Sequence, residues 1–343
     1  MRFEAVRAQL RRAVGSVFPS AQLVVCEGGH TVLDEAVGDC TVETLFDVAS
    51  LTKALATTTL VMRLVERGGL RLDEELRAGV TVRLALAHAS GLPAWRPLYE
   101  RVDEDAPDAR RAIVEAARRE PLEAPPGERS VYSDLGFILL GDAVERAGGA
   151  RLDAQWAEVA EQLGVGATFD PDPARCSPTR RSEGALSPDG WEALLAGTVH
   201  DDNALAMEGV AGHAGLFASA RDVSAVAAAL VAAWTGEERA TTGKEAIART
   251  ETVRAFWTPS GIPRSTWCLG WDRPSSTGSQ AGTRWSRDGV GHLGFTGCSL
   301  WIDPPRARWM VLLSNRVYGD APEAIKELRP ALHDAVVAAL DGE

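Results

Sequence analysis

Phe46-Asp47-Val48-Ala49-Ser50-Leu51-Thr52-Lys53 sets a serine three residues before a lysine, at the start of a run whose apolar positions keep helical spacing as far as Gly68-Gly69. One turn of helix separates the two side chains, so hydroxyl and amine can meet on one face. The lysine stands out because the chain nearly lacks them: of 36 basic residues, 33 are arginine and three are lysine. Given 19 serines in 343 positions, chance supplies only about 0.2 Ser-x-x-Lys occurrences. Arginine serves as a surface cation but keeps its proton near neutral pH, whereas a buried lysine can become a neutral amine and accept one. Lys53 therefore reads as a titratable group beside a nucleophilic Ser50, a setting that Lys244 and Lys326 do not share. Taken alone, Ser50 reads more simply as a helix N-cap, and its companions must decide.

Outward from this stretch, Gln22 to Cys26 and Thr31 to Val37 read as strands of a hairpin turning at Gly28-Gly29, after an amphipathic helix between Met1 and Val14. Helical spacing returns at Ala109 to Arg119, Leu135 to Ala147, Leu152 to Leu163 and Ala220 to Trp234, joined by proline-rich connectors. Strand patterns reappear at Cys268 to Trp271, Gly291 to Ile302 and Trp309 to Ser314, and Glu323 to Leu340 closes with a helix. Both ends thus carry strands and helices while the middle is mainly helical. The expected architecture is mixed α/β: an antiparallel sheet domain built from residues 1–53 and 240–343, flanked by terminal helices. Residues 54–239 form an inserted helical domain, and the site lies in the cleft between the two.

Two further segments keep Ser50 company. Tyr132-Ser133-Asp134 stands before a helix start in a chain with three tyrosines, with a turn capped by Asp134 as its simpler reading. His292-Leu293-Gly294-Phe295-Thr296-Gly297 is a glycine-spaced strand along which a substrate could lie, or an ordinary edge strand with bulges. In this order, the three pieces resemble the serine β-lactamase and penicillin-binding-protein family, in particular its class C β-lactamase-like branch, which includes esterases and D-amino-acid peptidases. The likeness extends to His88-Ala89-Ser90-Gly91-Leu92-Pro93, Pro126-Gly127, Gly212-His213-Ala214-Gly215-Leu216-Phe217 and Leu312-Leu313-Ser314-Asn315.

The resemblance implies a β-lactamase/transpeptidase-like fold with Ser50 as acylated nucleophile and Lys53 as base or proton shuttle. Tyr132 would share the acid/base work, and His292 would stand where many relatives have a lysine. Backbone N–H groups of Ser50 and Phe295 would form the oxyanion hole, with Asp134, Leu293, Gly294 and Phe295 contacting substrate. Two positions depart from the pattern. Asp134 replaces an asparagine whose amide donates to substrate, and an ionised carboxylate has no hydrogen to donate. Leu293 replaces a hydroxyl residue that helps hold a β-lactam carboxylate. Both point to weak β-lactam recognition.

The net charge of −12 and pI near 5.1 argue against a nucleic-acid partner, which needs a basic surface. The apolar run Val223 to Trp234 is too short to span a bilayer. Charges scattered through the first 14 residues disfavour a secretory signal, so a cytoplasmic protein is expected, or a periplasmic one if the chain has been trimmed. The five cysteines lack a Cys-x-x-Cys pair and read as reduced thiols. His200-Asp201-Asp202-Asn203 with His213 matches no metal-ligand spacing; cleft lining or helix capping fits better, His88 and His213 read as structural, and no cofactor is called for. Trp95, Trp271 and Trp285 are candidates for the cleft rim. The sequence reads best as a serine hydrolase acting on a small ester or amide through an acyl-enzyme. A muropeptide or D-amino-acid amidase or peptidase is the alternative, and a non-turnover sensor of the same fold is a third. Oligomeric state is silent.

Overall fold

A computed structural model describes residues 2–102, 108–186, 192–237 and 246–343. Lys244 and the expected boundary at 239/240 lie outside the described residues.

The central sheet has five antiparallel strands: β1 (Ser20–Glu27), β2 (His30–Gly38), β3 (Val290–Leu293), β4 (Ser299–Asp303) and β5 (Arg308–Ser314), in the order β2-β1-β5-β4-β3. The two ends of the chain meet where β1 pairs with β5, Ala21 opposite Ser314 and Leu23 opposite Leu312. Strand alternation then sends side chains to two different cores. Leu23, Val25, Trp301, Met310 and Leu312 pack with α1 (Glu4–Ala13) and the closing helix through Val6, Leu10, Leu332 and Val336. Val24, Cys26, Leu300, Val311 and Leu313 join the second core, which continues into the helical region. Full burial of one such side chain is worth about 1.5–3 kcal/mol. A sheet covered on both faces is therefore a rigid floor for whatever its β3 edge carries.

The longer helices after α1 are α2 (Thr58–Glu66), α3 (Ala109–Arg119), α4 (Asp134–Gly148), α5 (Leu152–Leu163), α6 (Ala220–Thr235) and α7 (Ile325–Asp341). Two expectations need correcting. Residues 268–271 form a turn in which the Cys268 N–H donates to Trp271 O, because Gly270 at φ +76° breaks any strand there. The run expected from Gly291 to Ile302 divides into β3 and β4, since the Gly294 N–H closes a turn onto Cys298 O. The helix expected from Leu51 begins there and passes through a π-type turn over Lys53–Thr57 before α2. No helix among the described residues is long and apolar enough to cross a membrane.

Candidate active site

Ser50 stands at the start of a helix, just after Ala49, whose φ of +48° is unusual for a residue with a side chain. The two Asp47 carboxylate oxygens hold this approach in place by accepting the N–H groups of Ala49 at 2.8 Å and His200 at 2.7 Å. Burial pushes the Asp47 carboxyl up to about 6, against the pull of those two donors. The adjoining π-type turn, a distortion often found at functional sites, widens the backbone where Lys53 begins.

Lys53 is completely buried, and its Nζ donates to Ser50 Oγ at 2.9 Å and to His213 O at 2.9 Å. It also forms an ion pair with Asp134 Oδ1 at 2.6 Å, while the Tyr132 hydroxyl is hydrogen-bonded to both Ser50 and Lys53. Four oxygens thus surround three N–H bonds. Burial alone would lower the Lys53 pKa, but the negative charge of Asp134, with help from Tyr132, outweighs it and holds Lys53 above its ordinary value. The Tyr132 phenol is likewise raised, chiefly by burial, although the Lys53 charge opposes that.

Asp134 does not cap α4. Ser133 does so by accepting the Gly136 N–H, and this frees the Asp134 carboxylate for Lys53. Tyr132 is set by His88, whose carbonyl accepts the Val131 N–H and whose Nδ1 accepts the Ser133 N–H at 3.0 Å. The His88 ring lies 4.6 Å from the phenol ring and, mainly through burial, stays well below the usual imidazole pKa.

On the sheet side, His292 in β3 donates from Nδ1 to Leu293 O at 2.8 Å, leaving a buried Nε2 with no partner among the described residues. Burial, reinforced by the Lys53 charge, brings its pKa down to about 3, so it is a neutral hydrogen-bond acceptor. Leu293 and Gly294 follow in the cleft wall, and Phe295 is 59% exposed at the rim. Arg316 Nε donates to Phe295 O at 2.5 Å and the guanidinium lies over the Phe295 ring, fixing the residue expected to supply an oxyanion donor. Among the described hydrogen bonds, none uses the Ser50 or Phe295 N–H.

Two glycines allow this assembly. A Cβ on Gly212 would stand 2.1 Å from Phe137 O, so only glycine lets the 212–216 segment run against α4 and bring His213 O to Lys53. A Cβ on Gly294 would stand 2.5 Å from Val48 O, so β3 approaches the serine segment closely only because that atom is absent. Gly294→Ala is expected to destabilise the fold by about 1–3 kcal/mol through overpacking and to slow Ser50 acylation as β3 moves away. Urea denaturation alongside stopped-flow acylation checks both.

These groups line one cavity of about 670 Å³ that includes Ser50, Tyr132, Asp134, His292, Leu293, Gly294 and Phe295. Trp95 lines it as expected, but Trp271 and Trp285 are buried elsewhere. The tryptophan that sequence reasoning missed is Trp267, whose ring packs against His88, Tyr132 and His292 at 4.2, 5.6 and 5.5 Å. Its loop has no periodicity that could have marked it. Arg329 of α7 was missed as well. It is 5% exposed, lines the cavity, leaves Nε without a partner and has no carboxylate within 4 Å among the described residues. Burial lowers its pKa to about 10. Asp201 caps the short helix Asp202–Ala206 and also lines the cavity, while Asn203 ties the Tyr99 and Arg96 backbone. Among the described residues, no group of three or more His, Cys, Asp or Glu side chains could hold a metal.

Comparison with known proteins gives this arrangement its context. The Beta-lactamase family model matches residues 6–334. The chain belongs to that family. Within it, the chain is 29% identical to an N-acetylmuramyl-L-alanine amidase of Bacillus subtilis (strain 168), over 91% of this chain and 80% of the amidase. Its fold is similar to that of EstCE1, a hydrolase with promiscuous acyltransferase activity, with a TM-score of 0.75, 20% identity and 98% of both chains covered. It is also similar to the octameric penicillin-binding protein homologue from Pyrococcus abyssi, with a TM-score of 0.71, 20% identity, and 100% of this chain and 77% of the other covered. The protein is thus a serine hydrolase of the β-lactamase-like family, with the mixed α/β fold and five-stranded antiparallel sheet of that group.

Proposed function

We propose that the protein hydrolyses a small ester or amide through an acyl-enzyme on Ser50. The observation that carries this is the contact of Lys53 Nζ with Ser50 Oγ inside a cavity large enough for a small substrate. As an ammonium surrounded by acceptors, Lys53 has no lone pair to offer. Asp134 is the group placed to take one of its protons as substrate expels water. The freed amine, relayed by Tyr132, then accepts the Ser50 proton while Oγ bonds to the substrate carbonyl carbon. The Ser50 and Phe295 N–H groups hold the oxyanion. Collapse breaks the bond to the leaving group, which takes the proton from Tyr132, and water repeats the sequence to release the acid. An oxyanion donor of this kind is typically worth about 3–4 kcal/mol of barrier.

Arg329 favours a second reading, in which the scissile bond is an amide and the leaving group carries a carboxylate. A buried guanidinium without an acidic partner is costly unless a ligand supplies one. This is the muropeptide or D-amino-acid amidase or peptidase reading, and the name of the Bacillus relative supports it. In either case Leu293, with no hydroxyl, supports weak action on β-lactams.

A fluorophosphonate probe or short activated ester is expected to modify Ser50 and no other residue, as read by peptide mass spectrometry. An adduct on Ser90, or full activity in Ser50→Ala, would sink the assignment. Turnover of an ester and amide panel after labelling separates the hydrolase from a sensor that is acylated once and stops.

A further inference from the structure

The mechanism above leaves one buried pair unused. His213, 1% exposed, gives its carbonyl to Lys53 and turns its ring to Asp201, Nε2 to Oδ1 at 2.7 Å. The same Oδ1 accepts the Ala204 N–H at 2.8 Å. One carboxylate oxygen is thereby fixed, and Oδ2 remains on a side chain that lines the cavity with no partner among the described residues. Burial works against charge on Asp201, but the His213 ring and the Ala204 N–H outweigh it and hold the carboxyl well below its usual range.

Of the other acids lining the cavity, Asp47 is occupied by two backbone N–H groups, Asp134 by Lys53 and Asp272 by the Arg273 N–H, and Asp202 follows Asp201 at the start of the short helix. Of the cations lining the cavity, Lys326 pairs with Glu323 and Arg316 with the Phe295 carbonyl, Arg329 has no carboxylate partner, and none of the three pairs with Asp201 among the described residues. Only three large apolar side chains are exposed among the described residues, and two of them, Trp95 and Phe295, line this cavity beside Asp201. A carboxylate in a cavity also lined by aromatic side chains is the chemistry that receives an ammonium group. Elsewhere in the cavity, His292 Nε2 is buried and has no partner among the described residues. Tyr132, Trp267 and His292 form the wall where the leaving group is protonated. Asp201 lies by His200, whose ring meets Phe295 on the oxyanion side.

We propose that Asp201, oriented by His213, anchors a protonated amine on the acyl part of the substrate, so that the preferred acyl donors are aminoacyl esters or amides with a free ammonium group. The proposal rests on acylation of Ser50 and adds the class of acyl group.

The test compares alanine p-nitroanilide, in each configuration, with its N-acetyl counterpart in the wild type and in Asp201→Asn. Asparagine keeps the oxygen that caps the Asp202–Ala206 helix. The wild type is expected to prefer the free ammonium form by about 10- to 100-fold in kcat/KM, the worth of one charged hydrogen bond. In Asp201→Asn the ratio should fall toward one. An equal ratio in the wild type, or a ratio unchanged in the variant, overturns the proposal. Should the variant fail to fold, competition in the wild type decides. Alaninamide must inhibit p-nitrophenyl butyrate hydrolysis more strongly than N-acetylalaninamide, and the reverse order overturns the proposal. If p-nitrophenyl butyrate acylates Ser50 without any ammonium preference, only the anchor fails. If no ester acylates Ser50, the underlying hydrolase reading fails with it.

Discussion

Lys53→Arg is expected to slow Ser50 acylation by about 10²- to 10⁴-fold, the range typical for loss of a general base. The substitution keeps a positive charge and helix propensity, so a purely electrostatic role for Lys53 would leave most of the rate intact. Two properties argue otherwise. Guanidinium does not release a proton near neutral pH, so it cannot take the one on Ser50. The Lys53 site is also fully buried, with acceptors arranged around a single nitrogen: Ser50 Oγ, His213 O and Asp134 Oδ1 at 2.6–2.9 Å. A planar fork cannot reproduce that arrangement. Stopped-flow acylation by an activated ester, with circular dichroism to confirm folding, measures the effect. Retention of more than about a tenth of the wild-type rate would reduce Lys53 to an anchor of charge.

Asp134→Ala carries the largest expected cost in stability. Removing one partner of a buried ion pair commonly costs about 3–5 kcal/mol because the other charge is left uncompensated. Here that charge is an ammonium with no exposure to solvent. The pH dependence follows from the direction of the Lys53 shift. Its folded pKa lies above the unfolded value of 10.5, so the ion pair's contribution is complete below that pH and is lost as pH rises through the folded value. The deficit of Asp134→Ala should accordingly be full at pH 7 and shrink in strongly alkaline solution. Urea midpoints from pH 7 to 11 test this, and a deficit independent of pH would assign Asp134 a role in packing alone. With the softer Asp134→Asn, loss of the carboxylate charge lets burial lower the Lys53 pKa. The rising limb of kcat/KM against pH should then move to lower pH by a unit or more, each unit being about 1.4 kcal/mol.

The sequence made the reacting groups legible where chemistry restricts the choice of residue. A lysine surviving among 33 arginines, one of three tyrosines and a glycine-spaced histidine segment are choices that surface substitution does not explain. The structure brings Ser50, Tyr132 and His292 into one cavity, with Lys53 buried against Ser50. Strands with clear alternation were readable, yet 268–271 was mistaken for one because its apolar residues are buried by a turn, which has no period to detect. Of the two readings of Asp134, the structure places it in the cavity, and the simpler reading as a cap fails because Ser133 takes that task one residue earlier. Asp201 lines the cleft and caps a helix as expected, but Arg329, Trp267 and the pairing of Asp201 with His213 escaped for a shared reason. Each matters through a neighbour distant in sequence, and nothing in the local pattern of a buried arginine or a loop tryptophan says which cavity it will reach.

The pairing of β1 with β5 bears on when the site comes into being. The Ser20 N–H donates to Asn315 Oδ1, 295 residues further along, so the strand leading toward Ser50 waits for almost the whole chain before it has a neighbour on that side. Closing so long a loop costs entropy before any contact repays it, and such topologies fold slowly. During synthesis the serine and lysine are made early, but the β3 edge that carries the His292 and Phe295 groups arrives late. A nascent chain therefore holds the nucleophile without the wall that would let it react. Reactivity begins only once the last strands have docked, and an incomplete chain on the ribosome is chemically silent toward the substrates its finished form attacks.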